Sequence, residues 1–199
     1  YKMLRDAFRG GNTHANRFKV GSIIENVGSF DFGSSYPAAL VCYDGFPMGK
    51  LMDCTNSIQT PEDLTRYANR YWLVVKVLFK DLRLRDPYNT LCPYIPFAKG
   101  IREWDLDENG HRKPRVGYYD NGRMLKQDGY FTLTFLGCEW DVIRRQYEGE
   151  MKVIKAYYTT AGQLPAALRK TCYEWYKAKT ELKNVEGREY EYMKSKNRV

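Results

Sequence analysis

The residues Ser29-Phe30-Asp31-Phe32-Gly33-Ser34-Ser35-Tyr36-Pro37-Ala38-Ala39-Leu40 place an acid between two aromatics, then three small residues, then a tyrosine and a proline. The apolar run over 21–32 predicts a strand ending on Asp31. Gly33, Ser34 and Ser35 suit a tight turn. Pro37 fits the first position of a helix over 37–43, where its missing N–H costs nothing. This order delivers a carboxylate to a strand tip beside the free amides of a helix start, and such amides bind phosphate oxygens. The carboxylate would repel those phosphates unless a divalent cation lay between them, so the pattern suggests a metal-bound triphosphate. Pro37 also biases Tyr36 toward extended backbone, which holds its ring beside the same pocket. A plainer reading is open on the same residues, with Asp31 as a turn acid capping the helix and Tyr36 as part of a core.

Outward from this stretch, residues 1–18 are basic and broken by glycine, with Phe8-Arg9-Gly10-Gly11 inside them. Thr60-Pro61-Glu62-Asp63 predicts a helix start, with a Thr cap, Pro first and acids in the first turn, and the helix runs to about Asn69. Tyr71 to Lys80 is a β-branched and aromatic strand. From 86 to 137 the texture turns β-rich, with Asn109-Gly110 and Asn121-Gly122 as two-residue hairpin turns. Helix is expected over 139–146, strand over 151–159, and a long helix over 165–183. Leu168, Cys172, Trp175 and Leu182 can share one face of that long helix. A last basic helix runs over 188–198. These elements predict an α+β fold.

The 199 residues carry 32 Lys and Arg against 24 Asp and Glu, a net charge of +8, and 17 tyrosines. That balance favours a polyanionic partner, nucleic acid before an acidic membrane surface. Phenols in that number suit half-buried sheets and stacking on bases. Five cysteines stand at 42, 54, 92, 138 and 172, with no CxxC pair. This argues against a disulfide framework or zinc ribbon and for a reducing cytoplasm. With only His14 and His111, a histidine metal site is also disfavoured. No apolar stretch is long enough to span a bilayer, so no membrane partner is expected.

Asp31-x-x-Ser34-x-Tyr36-Pro37 resembles the first palm motif of family B DNA polymerases, D-x-x-S-L-Y-P, and Phe8-Arg9-Gly10-Gly11 resembles the Y-x-G-G segment that precedes it. The likeness is greatest to the protein-primed branch, which copies linear phage and plasmid genomes from a terminal protein. It covers essentially the whole chain but only the middle of such an enzyme. It departs from the family in Ser35 for the usual Leu and Phe8 for the usual Tyr, and the sequence contains no Asp-Thr-Asp.

The resemblance implies a partial palm over 1–85 carrying Asp31, a β-rich insertion over 86–137 that contacts terminal protein and DNA, a return to palm over 138–162, and the start of the fingers over 163–199. It implies a DNA-directed DNA polymerase, a nucleotidyltransferase, as the parent. Asp31 would be the first catalytic carboxylate, with Asp31 and the Phe32 carbonyl as Mg ligands. Ser34, Ser35 and Tyr36 would bind the nucleotide, Tyr36 walling off a 2′-hydroxyl. Lys196 resembles the fingers lysine of Lys-x-x-x-Asn that neutralises phosphate, and Lys179 is a weaker match to another. Arg9, Gly10 and Gly11 suit the template strand, because glycine permits close approach and arginine supplies charge. Implied partners are template and primer DNA, dNTP and a terminal protein. Two Mg ions, the usual requirement of nucleotidyl transfer, need carboxylates from separate strands. One such carboxylate would leave this stretch inactive alone and its metal weak or absent. The competing reading is a non-enzymatic basic module that binds nucleic acid or protein.

Overall fold

Residues 1–9, 15–102, 104–106, 109, 111–114 and 117–198 are described by a computed structural model. In chain order the elements are α1 (Lys2–Ala7), α2 (Ser35–Cys42), β1 (Phe46–Asp53), α3 (Pro61–Arg70), β2 (Trp72–Leu84), β3 (Ile101–Arg102), β4 (Trp104–Leu106), β5 (Arg112–Pro114), β6 (Gly117–Asp120), β7 (Arg123–Leu136), α4 (Trp140–Gln146), β8 (Tyr147–Gly162), α5 (Ala166–Glu181) and α6 (Glu189–Arg198). The chain divides into two compact units. One, built on a sheet, holds residues 1–23 and 49–159, and the other, mainly helical, holds 24–48 and 160–199.

In the sheet unit, β2 opens with Trp72-Leu73-Val74-Val75, residues that fit a pleated and half-buried surface. Leu73, Val75, Val77 and Phe79 alternate onto one buried face. The strand order is β1-β8-β2-β7-β3, with β6 also on β7 and β4–β5 as a separate pair. The long strands run antiparallel. Val75, Val77 and Phe79 stand opposite Phe135, Leu133 and Phe131 of β7, while Val77 and Phe79 stand opposite Val153 and Met151 of β8. Leu64 of α3 and Trp140 and Ile143 of α4 complete this core. Trp140 Nε1 donates to Thr65 Oγ1 at 2.8 Å, and its ring stacks on Phe135. Each such aliphatic or aromatic side chain stabilises the unit by roughly 1.5–3 kcal/mol when fully buried. On the opposite face α1 lies against β2 and β7, where Val74 and Thr134 are buried as well.

Several expectations hold. Thr60 Oγ1 accepts from the Asp63 amide at 3.1 Å and Asp63 Oδ2 accepts from the Thr60 amide at 3.2 Å, so α3 starts with a reciprocal cap and Pro61 first. Asn121 and Gly122 take φ 47° and 74°, the left-handed pair that a tight hairpin requires, and join β6 to β7. At the other expected turn β4 and β5 pair antiparallel, and Gly110 lies outside the described residues.

Other expectations are corrected. Residues 21–32 form no strand. They are irregular and exposed, with Ile23 95%, Phe30 96% and Phe32 87% accessible. Their side chains suit a strand, but a strand also needs a neighbour to take its amides and carbonyls, and among the described residues none pairs with it. Helix α2 begins at Ser35, two residues before Pro37, so Pro37 sits third. The first four amides of a helix have no intrahelical partner, so proline is tolerated there too. The compact units part at 23/24, 48/49 and 159/160. β7 lies within 86–137, yet it pairs along most of its length with β2. Residues 92–95 are also fastened to α4 and β8. Gln146 Nε2 donates to the Cys92 carbonyl at 3.1 Å, Gln146 Oε1 accepts from the Tyr94 amide at 2.8 Å, and Tyr147 OH accepts from the Ile95 amide at 3.2 Å.

Candidate functional site

The helical unit gathers most of the residues that the sequence singles out. Ser34 is the residue before α2, with φ 57° and ψ 46°. A capping serine normally has extended backbone and accepts from an amide of the first turn. In the left-handed conformation Ser34 does not, and no side chain caps α2. A non-glycine residue held there costs on the order of 1–3 kcal/mol. The uncapped hydroxyl is used elsewhere: Lys179 Nζ donates to Ser34 Oγ at 2.7 Å, across 145 residues of sequence. This contact joins α2 to α5. Tyr36 is on the first turn of α2 and 81% exposed, so it belongs to no core. Pro37 is the buried residue of that helix.

Asp31 and Phe32 precede this turn on exposed, irregular chain. Among the described residues no hydrogen bond or ion pair occupies the Asp31 carboxylate. The acid is therefore free for another charge to engage, and it does not cap α2. Lys196 is exposed on α6, which packs on α5. There the Arg198 guanidinium lies 5.9 Å from the Trp175 ring. The expected apolar face of α5 is not buried: no residue of α5 is, and Leu168 is 47% exposed. Missing from the sequence reading are Tyr173 and Tyr176, which with Pro37, Ala38 and Val41 line a cavity of about 220 Å³ between α2 and α5. The signal was Tyr176 three residues before Lys179, which puts both on one helix face.

Arg9 lies in the sheet unit and faces inward. Its guanidinium is 2.9 Å from Glu139 Oε1, and the two side chains are 12% and 10% exposed. Arg9 Nη2 donates to the Thr134 carbonyl at 3.1 Å. Glu139 also accepts from Tyr94 OH and from the Leu136 amide, each at 2.7 Å. Burial pushes the Tyr94 phenol well above its usual range, and the bond to Glu139 pushes it further. In this conformation the Arg9 guanidinium is engaged in an internal ion pair. Gly10 and Gly11 lie outside the described residues.

No family model matches this sequence, and no protein of curated function does. Among solved structures the chain is similar to Phi29 DNA polymerase complexed with primer-template DNA and incoming nucleotide substrates, with a TM-score of 0.62 and 18% identity. The match covers 98% of this chain and 29% of that one. The chain folds like part of a DNA polymerase. At this identity the likeness is one of fold, a mixed α and β arrangement with an antiparallel sheet, and the chain spans under a third of the polymerase's length.

The fit to metal is incomplete. Among the described residues no three His, Cys, Asp or Glu come together as a group that could hold a metal ion. A two-metal array needs carboxylates from separate strands, so these residues do not fit it by themselves. Among the described residues no helix is long and apolar enough to cross a membrane.

Proposed function

We propose that these 199 residues belong to a DNA-directed DNA polymerase of the protein-primed family B type and carry the near side of its nucleotide pocket. One observation carries this reading. The Asp31-x-x-Ser34-x-Tyr36-Pro37 stretch and Lys179 meet at the uncapped start of α2, in a chain whose fold is similar over almost its whole length to part of a DNA polymerase. The amides at that start attract phosphate, the Lys179 ammonium neutralises it, and the exposed Tyr36 ring stands where a sugar would pass. Asp31 is the carboxylate offered to the reacting end of the nucleotide, with the Phe32 carbonyl beside it, and Ser35 lends its amide. Lys196, exposed on α6, is the second phosphate ligand of this reading. Primer-template DNA and a dNTP are the partners of this reading, and a terminal protein is its primer. The exposed apolar run before Asp31 is the edge on which further palm strands of the complete enzyme would pair.

The test is Asp31→Ala in the complete reading frame that carries these residues. Incorporation of dNTP on a primed template falls by at least ~10³-fold, the scale on which a single transition-state group acts, while DNA affinity stays within about twofold. Retained synthesis rejects the polymerase reading and leaves a non-enzymatic binding module. Reading Asp-Thr-Asp further along that frame is the companion observation, since it would supply the second carboxylate.

A further inference from the structure

We infer that Ser34 is a positioning residue: its hydroxyl, turned away from capping α2, fixes the Lys179 ammonium at the helix start, where a nucleotide phosphate is expected. This deepens the polymerase reading and rests on it. The hydrogen bond spans 2.7 Å between α2 and α5. α2 packs on α5, yet no residue of α5 is buried, Pro37 is the buried residue of α2, and a cavity of about 220 Å³ opens along the same seam. The seam is incompletely filled, and the polar tie fixes where the lysine head stands in it. Charge makes the tie necessary. The start of a helix carries partial positive charge, so an ammonium there is repelled when no anion is bound. An ordinary capping serine would spend its lone pair on a backbone amide and leave the lysine free to swing into water. The left-handed backbone at Ser34 removes that option, and the oxygen accepts from Lys179 instead. The site thus carries its phosphate-neutralising cation in place before the anion arrives, which lowers the ordering cost of binding.

The experiment uses the complete reading frame and dATP on a primed template. Ser34→Ala raises the KM for dATP about tenfold, the worth of a half-exposed hydrogen bond to a charged group, and the rise falls on KM rather than kcat. Ser34→Asn tolerates the left-handed backbone, offers the lysine an amide oxygen and recovers part of the loss. In the Ser34→Ala/Lys179→Ala pair the second substitution adds less than twofold to Lys179→Ala alone, because both remove one unit. An unchanged KM in Ser34→Ala, a loss confined to kcat, no recovery by Asn, or simple multiplication in the double variant overturns the assignment. Asp31→Asn, run in parallel, separates the two levels. If it abolishes synthesis and Ser34→Ala leaves KM unmoved, only the positioning role is lost. If Asp31→Asn still synthesises, the polymerase reading fails and the positioning role fails with it.

Discussion

Glu139 is the residue whose removal most directly tests how the N-terminal segment is held. Glu139→Ala deletes the counter-ion of a largely buried Arg9 and the acceptor of two 2.7 Å hydrogen bonds, from Tyr94 OH and the Leu136 amide. Stripping one partner from a buried ion pair costs about 3–5 kcal/mol, because the other charge is left in low dielectric. With a urea dependence of about 2 kcal/mol per molar, the unfolding midpoint falls by roughly 2 M. The reverse substitution is milder. Arg9 Nη1 and Nε have no aligned acceptor, and Nη2 makes the one good bond, so the guanidinium is poorly repaid for leaving water. Arg9→Met keeps an apolar stem and leaves Glu139 two donors, so the loss is about 1 kcal/mol, or roughly half a molar in urea. Trp140 fluorescence reports the transition, since that ring sits in the core and stacks on Phe135. A shift below about 0.5 M for Glu139→Ala, or equal shifts for the two variants, refutes the internal ion pair as an anchor. An Arg9→Met protein with unchanged midpoint and weakened DNA binding would return Arg9 to the template strand.

Two further outcomes follow from the geometry. Tyr36→Val, which removes an exposed ring without touching the buried Pro37, raises ribonucleotide incorporation on a primed template by at least ~10-fold relative to dNTP, since a steric wall is lost at little cost to fold. Unchanged rejection of ribonucleotides makes Tyr36 a structural residue. Excision of 103–116, which carries the separate β4–β5 pair, leaves the main sheet intact and lowers priming on a terminal protein more than extension from a DNA primer. Equal loss of both, with an unchanged thermal midpoint, removes the segment from priming. A cut over 88–136 cannot ask this question, because it takes out β7 and with it one wall of the core.

What the sequence announced were features with local causes. The Thr60–Asp63 cap, the Asn121-Gly122 turn and the β-branched run of β2 each need only neighbouring residues, and each stands where its pattern places it. What it concealed had distant causes. α1 has no side-chain cap, and its place is set by packing against β2 and β7. β1 contains Pro47 and Gly49, which argue against a strand, yet it is the edge of the sheet, where proline is tolerated. The partner of Arg9 is 130 positions away, so no spacing rule could have paired it with Glu139. For the site, the residue types were legible and their joining was not. The sequence points to Ser34 and Lys179 each as a nucleotide contact, but the left-handed backbone that turns the serine toward the lysine has no signature in Gly-Ser-Ser.

The two units differ in how they are held, and this bears on where activity can reside. The sheet unit has a continuous core from Leu64 to Ala156 and long antiparallel ladders. The helical unit, which bears Asp31, Ser34, Tyr36 and Lys179, has almost no buried side chains in α2, α5 or α6. An apolar run left in water beside it, from Ile23 to Phe32, exposes the kind of surface that folding ordinarily removes. Burying Ile23, Phe30 and Phe32 against a paired strand would stabilise the segment by roughly 5–9 kcal/mol, at about 1.5–3 kcal/mol per side chain. The same pairing would bring Asp31 to a strand tip, which is the arrangement its neighbours suit and the one these residues do not reach alone. If Asp31 is the proposed catalytic carboxylate, pairing of residues 22–32 and synthesis arrive together in the complete frame, so their amides are protected from exchange there. Unprotected amides in a synthesising enzyme refute the link between that pairing and activity.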